Sequence, residues 1–248
     1  MSAVRTLKVV LLLNVLAACS QKSTGPYRVG VLRQTGPHCQ YAIQATDLKT
    51  LQSLDEMRGG IGHVVRHPLN VDSTPEILDQ RQGFERVPVQ FEKSGDAYYP
   101  SDFTSLYVSS LYYAIETGYL LHASLDPVAD MSKRVPDFGD TFLVYDVRRS
   151  FGRVGKVPEV HDNAEYLPHE VGPDSAKRGI LNYFFAYPTD TVTEVPLGMN
   201  AGIMVHEYSH MVFHYLFFEQ ANSANLSTGS EKPTQNTISA LDEGQADG

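Results

Sequence analysis

The sequence is poor in several features that would each define a class of protein. It has two cysteines in 248 residues, which allow one disulfide at most. Beyond the N-terminus it has no charge-free apolar run of about 18 residues, so no transmembrane helix is predicted. Positive charge is scarce: the chain has 20 lysines and arginines but 29 acidic residues. The formal net charge of −9 argues against nucleic acid as a partner. We find no internal repeat.

The N-terminus has the pattern of an export signal. Arg5 and Lys8 precede an apolar run over residues 9–18, which is too short to span a bilayer but is typical of a signal peptide. The sequence Leu-Ala-Ala-Cys that ends at Cys19 resembles the bacterial lipobox, which is cleaved before a cysteine that is then lipidated. We predict a lipoprotein signal peptide over 1–18, lipidation of Cys19 and a polar tether over 19–26. A signal peptide followed by an incidental cysteine is the alternative.

This lipobox predicts where the protein is located. Ser20, rather than aspartate, follows the cysteine, which suggests an exported lipoprotein at the outer membrane or the cell surface, held to the membrane by its lipid anchor. Loss of Arg5 and Lys8 with the signal peptide changes the formal charge from −9 to −11. Lipidation of Cys19 leaves Cys39 without an intrachain disulfide partner, and we interpret Cys39 as an incidental buried thiol.

The most specific motif is His206-Glu207-Tyr208-Ser209-His210, a His-Glu-x-x-His sequence. It lies in an apolar run from 203 to 218 without glycine or proline, which predicts a buried helix. Residues i and i+4 lie on one helical face, so both imidazoles can bind one Zn²⁺, and Glu207 beside them can act as a general base on water. The alternative is a pair of hydrogen-bonded core histidines.

A zinc site with catalytic function needs a third protein ligand and one open position for water. Glu243 and Asp247 are four residues apart, on one predicted helical face. We predict that Glu243 is the third ligand and that Asp247 accepts the free N–H of a ligating histidine. The alternative for both is a solvated, acidic helix start. His214 lies about 80° round the helix from His206, so we expect it to pack near the ligands rather than bind the metal.

The two motifs together resemble the gluzincin metallopeptidases, in particular the thermolysin-like and fungalysin-like enzymes. Those families carry His-Glu-x-x-His on one helix and Glu-x-x-(Ser/Ala)-Asp on the next. The resemblance implies that His206, His210 and Glu243 are zinc ligands and that Glu207 is the catalytic base. It also implies that Asp247 orients a ligating histidine.

The resemblance covers about residues 98–247. Residues 180–185 are similar to the edge strand that pairs with a peptide substrate, which implies substrate contact by Asn182. In the resembled families a C-terminal helical lobe follows and supplies a histidine or tyrosine that stabilises the oxyanion. The sequence stops at Gly248, one residue after Asp247. We therefore expect that lobe to be absent, and the cleft to be completed by a partner or by a missing segment.

The succession of elements predicts an α+β fold. We expect an antiparallel sheet packed on a central helix that carries the zinc motif, as in the N-terminal lobe of thermolysin-like enzymes. Residues 27–100 are predicted to be a β-rich N-terminal region and 101–248 an incomplete metallopeptidase-like region. The predicted elements are strands over 28–32, 62–65, 86–91, 141–147 and 179–187, a helix over 104–123, and a loop over 148–178.

These motifs predict a zinc-dependent endopeptidase that acts on a peptide or protein substrate. The hydrolytic water would be activated by Zn²⁺ and by Glu207. The alternative, from a different class, is a lipid-anchored zinc-binding protein with a structural or binding role and no turnover.

Overall fold

The computed structural model describes residues 26–36, 40–66, 84–135, 138–145, 164–171, 179–186 and 195–218. Helices and two sheets are present in these ranges, so the α+β prediction is confirmed. The strands are β1 (Tyr27–Gly36), β2 (Gln40–Leu48), β3 (Leu51–Ser53), β4 (Arg58–Gly59), β5 (Gly62–Arg66), β6 (Glu85–Arg86), β7 (Phe91–Ser94), β8 (Ala97–Pro100), β9 (Phe142–Tyr145), β10 (Ala164–Val171) and β11 (Gly179–Ala186). The helices are α1 (Phe103–Leu125) and α2 (Ala201–Phe213), and a π-helical turn (His214–Phe218) follows α2.

The smaller sheet has the strand order β2-β1-β8-β7 in the described residues. β1 pairs antiparallel with β2 and parallel with β8, and β7 pairs antiparallel with β8. Two serines of α1 bond to the backbone of β1. Ser109 Oγ donates to Gly30 O at 2.9 Å, and Leu32 N donates to Ser110 Oγ at 2.9 Å. These bonds hold α1 against the sheet.

The larger sheet has the order β10-β11-β9-β5-β4-β3, with β6 also paired to β5. β9 is parallel to both β5 and β11, whereas the other pairs are antiparallel. The prediction of a purely antiparallel sheet is therefore wrong. Parallel neighbours need a long crossover connection. The chain between β5 and β9 includes the whole of α1, which supplies such a crossover.

The central helix of the described fold is α1, and not α2, which carries the zinc motif and was predicted to be central. Its N-cap residue, Asp102, accepts a hydrogen bond from a backbone N–H of the first turn. Leu111 and Ile115 are fully buried, whereas Leu106 and Leu120 are half-buried. The helix also buries two tyrosines and three serines, because it packs against both sheets and α2. Among the described helices, none has the length and apolarity needed to cross a membrane.

Most strand predictions fall on observed strands, and two predictions are wrong. The strand expected over 86–91 is interrupted, because β6 ends at Arg86 and β7 begins at Phe91. Pro88 lies in the gap, and a proline has no N–H to donate to a strand ladder. The loop expected over 148–178 contains β10. The signal peptide, the lipidation site Cys19 and nearly all of the predicted tether lie outside the described residues.

Candidate metal centre

The zinc motif lies in the middle of α2. Asn200 begins the helix, because its Oδ1 accepts hydrogen bonds from Gly202 N at 3.0 Å and Ile203 N at 3.4 Å. Met204, Tyr208, Met211 and Val212 are buried in the core, and the helix continues to Phe213 before the π-helical turn. The motif is thus held on a regular helix, as the sequence predicts.

His206 and His210 direct their rings towards each other. The Nε2 atoms are 3.1 Å apart, and the ring centroids are 4.7 Å apart with an angle of 84° between the planes. Two nitrogens that bind one Zn²⁺ at 2.0–2.1 Å with tetrahedral geometry are separated by about 3.3–3.4 Å. The two histidines therefore fit one zinc ion with a movement of a few tenths of an ångström. The same separation also permits an N–H···N hydrogen bond between the two rings.

Glu207 completes the cluster. Its side chain is buried, with 7% of its surface exposed, and Oε2 accepts a hydrogen bond from Tyr166 N of β10 at 2.9 Å. One potential ligand atom from each of His206, Glu207 and His210 lies within 4.8 Å of the others. The structure brings together these three predicted site residues. It also ties the glutamate to a strand that the sequence did not predict.

The side of α2 away from the histidine pair is fixed to α1 and β11. Ser209 Oγ and His122 Nε2 are 2.9 Å apart and share a hydrogen bond. Tyr208 stacks on Phe184 of β11 at 6.0 Å and packs against Gly118 of α1, where an added Cβ would lie 2.8 Å from the tyrosine Cβ. Burial lowers the pKa of His122. These contacts set the position of the helix that carries the cluster.

Asn182 does not lie on an edge strand, so that prediction is wrong. β11 is paired on both sides, with β10 and with β9. The Asn182 side chain is 3% exposed; its Oδ1 accepts from Tyr166 Oη at 2.8 Å and its Nδ2 donates to Tyr215 Oη at 3.0 Å. A nearly continuous apolar run such as residues 180–185 is typical of a strand buried in the sheet, which explains the error.

The edge of the larger sheet nearest to Glu207 is β10. This strand contains Pro168 and Glu165, and its composition resembles a loop more than a strand. The role of Tyr166 was missed in the sequence because it acts through a backbone N–H, which any residue but proline provides. His122 was missed because nothing in its local sequence links it to α2.

The remaining predicted site residues are placed as follows. His214 is half-buried in the π-helical turn, and its ring centroid is 6.2 Å from that of Tyr166. It is not part of the cluster of potential ligand atoms. This agrees with the prediction that it packs near the site. Glu243 and Asp247, the predicted third ligand and its supporting carboxylate, lie outside the described residues.

The chain was compared with protein-family models, with curated proteins and with solved structures. None of the three comparisons returns a match. The function must therefore be inferred from the residues of the site and their geometry.

Proposed function

We propose that the protein is a zinc-dependent peptidase, in which His206 and His210 hold the metal and Glu207 is the general base. The observation that carries this proposal is the separation of 3.1 Å between the two Nε2 atoms on one face of α2, next to a buried carboxylate. The two imidazoles stand at the i and i+4 positions of a helix, from which one Zn²⁺ can be bound. A zinc ion would coordinate the imidazoles and give the carboxylate a function.

We also propose Glu243 as the third ligand and Asp247 as the acceptor of an imidazole N–H. The support is the spacing of these residues and the resemblance of both motifs to gluzincin peptidases. The predicted lipobox supports the further proposal that the enzyme is exported and anchored through Cys19 at the outer membrane or the cell surface.

Bound zinc would supply a Lewis acid that lowers the pKa of water towards about 7 and polarises the substrate carbonyl. Glu207 takes a proton from the attacking water and returns it to the leaving amine. Its Oε2 accepts from Tyr166 N, so the orientation of the carboxylate is set before a substrate arrives.

β10 is the strand that lies beside the proposed base. Tyr166 N points to Glu207 rather than to β11, so the edge of the sheet and the proposed base lie side by side. Pro168 is two residues further along the strand, where its missing N–H faces the same edge and interrupts no bond to β11. Tyr166 N is already bonded and Pro168 has no N–H, so neither can donate a hydrogen bond to a peptide strand added at this edge.

The test is Glu207→Gln, with His210→Ala as the matched control. We expect Glu207→Gln to bind zinc in the same ratio as wild type but to cleave peptide about 10²–10⁴ times more slowly, because the general base is removed. His210→Ala should lose both metal and activity, since a ligand is removed. Elemental analysis and a peptidase assay with and without chelator measure both effects. Cleavage by Glu207→Gln at the rate of wild type would refute the assignment.

The second candidate function is a lipid-anchored zinc-binding protein without turnover. The bond from Tyr166 N to Glu207 favours it, because the carboxylate then has a structural role that needs no substrate. This candidate predicts stoichiometric zinc and no chelator-sensitive cleavage of any peptide by the wild-type chain.

A further inference from the structure

The exposed edges of the two sheets are not alike. An edge strand carries N–H and C=O groups that can pair with another chain, and proteins limit such pairing with short strands, charges or proline. β7 has four residues, and two of them are Glu92 and Lys93. β3 has three residues. β10 contains Pro168 and glutamates on either side of it. Each of these three edges is protected.

β2, the other edge of the smaller sheet in the described residues, has little of this protection. It is nine residues long, contains neither proline nor glycine, and Asp47 is its only charged residue. It pairs with β1 without interruption from Leu48 to Tyr41, and the irregularity in the ladder comes only at its first residue, Gln40. Most of its residues are at least partly exposed. The edge is therefore long, regular and nearly uncharged.

The hydrogen bonds of β1 show which groups of β2 face outward. Gly30 O and Leu32 N bond to serines of α1 rather than to β2. Facing residues in an antiparallel pair point their backbone groups either towards each other or both away, in alternation. Ala45, which faces Gly30, and Ile43, which faces Leu32, therefore direct their N–H and C=O groups away from β1. The backbone groups of Tyr41 and Asp47, two residues further along β2 in each direction, also point away from β1.

Apolar side chains line the outer face beside this edge. Ile43 is 48% exposed and Tyr99 of β8 is 38% exposed. A Cβ added at Gly30 would lie 3.0 Å from Tyr99 Cδ1 and 3.2 Å from Ile43 Cγ2, so the glycine lets both side chains close over β1. Solvent-exposed apolar surface next to an unprotected edge is typical of an interaction site.

We propose that β2 is a dimer interface, at which two copies of the chain pair antiparallel and join their smaller sheets into one of eight strands. A two-fold interface must be self-complementary, and each copy of this protein has a formal charge of −9. Close approach of two such copies is favoured at a surface with little charge, and the β2 edge is such a surface. Pairing centred on Gln44 would separate the two Asp47 residues by about 20 Å, at about 3.4 Å per residue.

The test is the mass of the full chain in solution, measured by sedimentation velocity over a concentration series. We expect a monomer–dimer equilibrium in wild type. Ile43→Lys should weaken the dimer at least tenfold, because it brings like charges together at the axis. Ala45→Pro should do the same by removing an outward N–H and no bond to β1. Ser94→Lys, which adds the same charge to the protected β7 edge, is the matched control and should leave the dimer unchanged.

Circular dichroism and the melting temperature of each variant show whether it is folded. A wild-type chain that stays monomeric up to several hundred micromolar would overturn the proposal. So would a dimer whose dissociation constant is unchanged in both folded β2 variants, since the interface would then lie elsewhere. An equal loss of dimer in Ser94→Lys would also overturn it, because the loss would then not depend on a change at the β2 edge.

Discussion

The two helices each bury one glutamate, and the surroundings of the two side chains differ. Glu116 of α1 is 2% exposed, and its Oε1 accepts from Thr50 N at 2.6 Å and from Thr50 Oγ1 at 2.7 Å. Glu207 of α2 is 7% exposed and accepts from the backbone of β10, with two imidazoles on the same helical face. Burial is common to both. Only Glu207 stands among side chains that converge as metal ligands in the described residues.

The difference shows what burial of a carboxylate indicates. Glu116 connects α1 to the turn between β2 and β3 by binding both the N–H and the hydroxyl of Thr50, and Tyr112 Oη is 2.9 Å from the same hydroxyl. This arrangement fixes a turn and provides no site for a reacting group. A buried, hydrogen-bonded carboxylate is therefore weak support for catalysis unless its neighbours have chemistry of their own.

The largest stability effect should come from Glu116→Ala. The change leaves the N–H and hydroxyl of Thr50 without their acceptor and creates a cavity, so we expect the free energy of unfolding to fall by about 2–4 kcal/mol. Urea denaturation of the zinc-free protein measures it. Zinc affinity should stay within about twofold of wild type. A large loss of zinc binding with the fold intact would show that the two glutamates are not separate in function.

Much of the local structure could be predicted from the sequence, because its causes are local. The apolar run around His206 predicts α2, and the i, i+4 spacing of His206 and His210 predicts that their rings converge. The edge strand could not be predicted in this way. β10 has the composition of a loop. Its place in the sheet depends on pairing with β11, which begins at Gly179, whereas β10 ends at Val171.

The contacts of the proposed base depend on the same long-range pairing. Glu207 meets Tyr166 through a backbone N–H, 41 positions away in the sequence, and no residue type at that position signals the bond. The resemblance to a known family also led to an error, because it assigned the edge to residues 180–185. Their apolar character is instead that of a strand with neighbours on both sides.

A second, smaller effect on stability is expected at the face of α1 that packs against α2. Gly118 lies two residues after Glu116 but faces α2, where it touches Tyr208. Gly118→Ala should destabilise the protein by about 1–3 kcal/mol, because the new Cβ meets the start of the Tyr208 side chain and the helices must separate. This shift moves the helix that carries both histidines, so zinc affinity should fall as well. Isothermal titration with zinc, beside urea denaturation, measures the two effects.

Ala114→Gly is the matched control for Gly118→Ala. It changes the same helix at a buried position by the reverse substitution, and it should cost about 1 kcal/mol or more without a specific effect on zinc. If both variants reduce zinc affinity equally, the packing of Gly118 on Tyr208 has no special part in positioning the metal site.

The smallest effect is a dependence of stability on pH that belongs to Glu116. Burial raises the pKa of its carboxyl above the ordinary value of 4.5, and the hydrogen bonds from Thr50 oppose the shift without cancelling it. The folded state then holds the proton more tightly than the unfolded state. The contribution of this tighter proton binding to the free energy of unfolding is complete below pH 4.5. It is lost as the pH rises through the raised pKa, by at most about 1.4 kcal/mol per pH unit.

Glu116→Gln isolates this contribution, because glutamine does not titrate and every other group is unchanged. The free energy of unfolding of wild type minus that of Glu116→Gln should decrease as the pH rises from 4.5 towards neutrality, in urea denaturation series at matched ionic strength. If the difference increases with pH, the hydrogen bonds from Thr50 outweigh burial. Glu116 would then be held as an anion. The contrast between the two buried glutamates would then lie in the side chains that surround them.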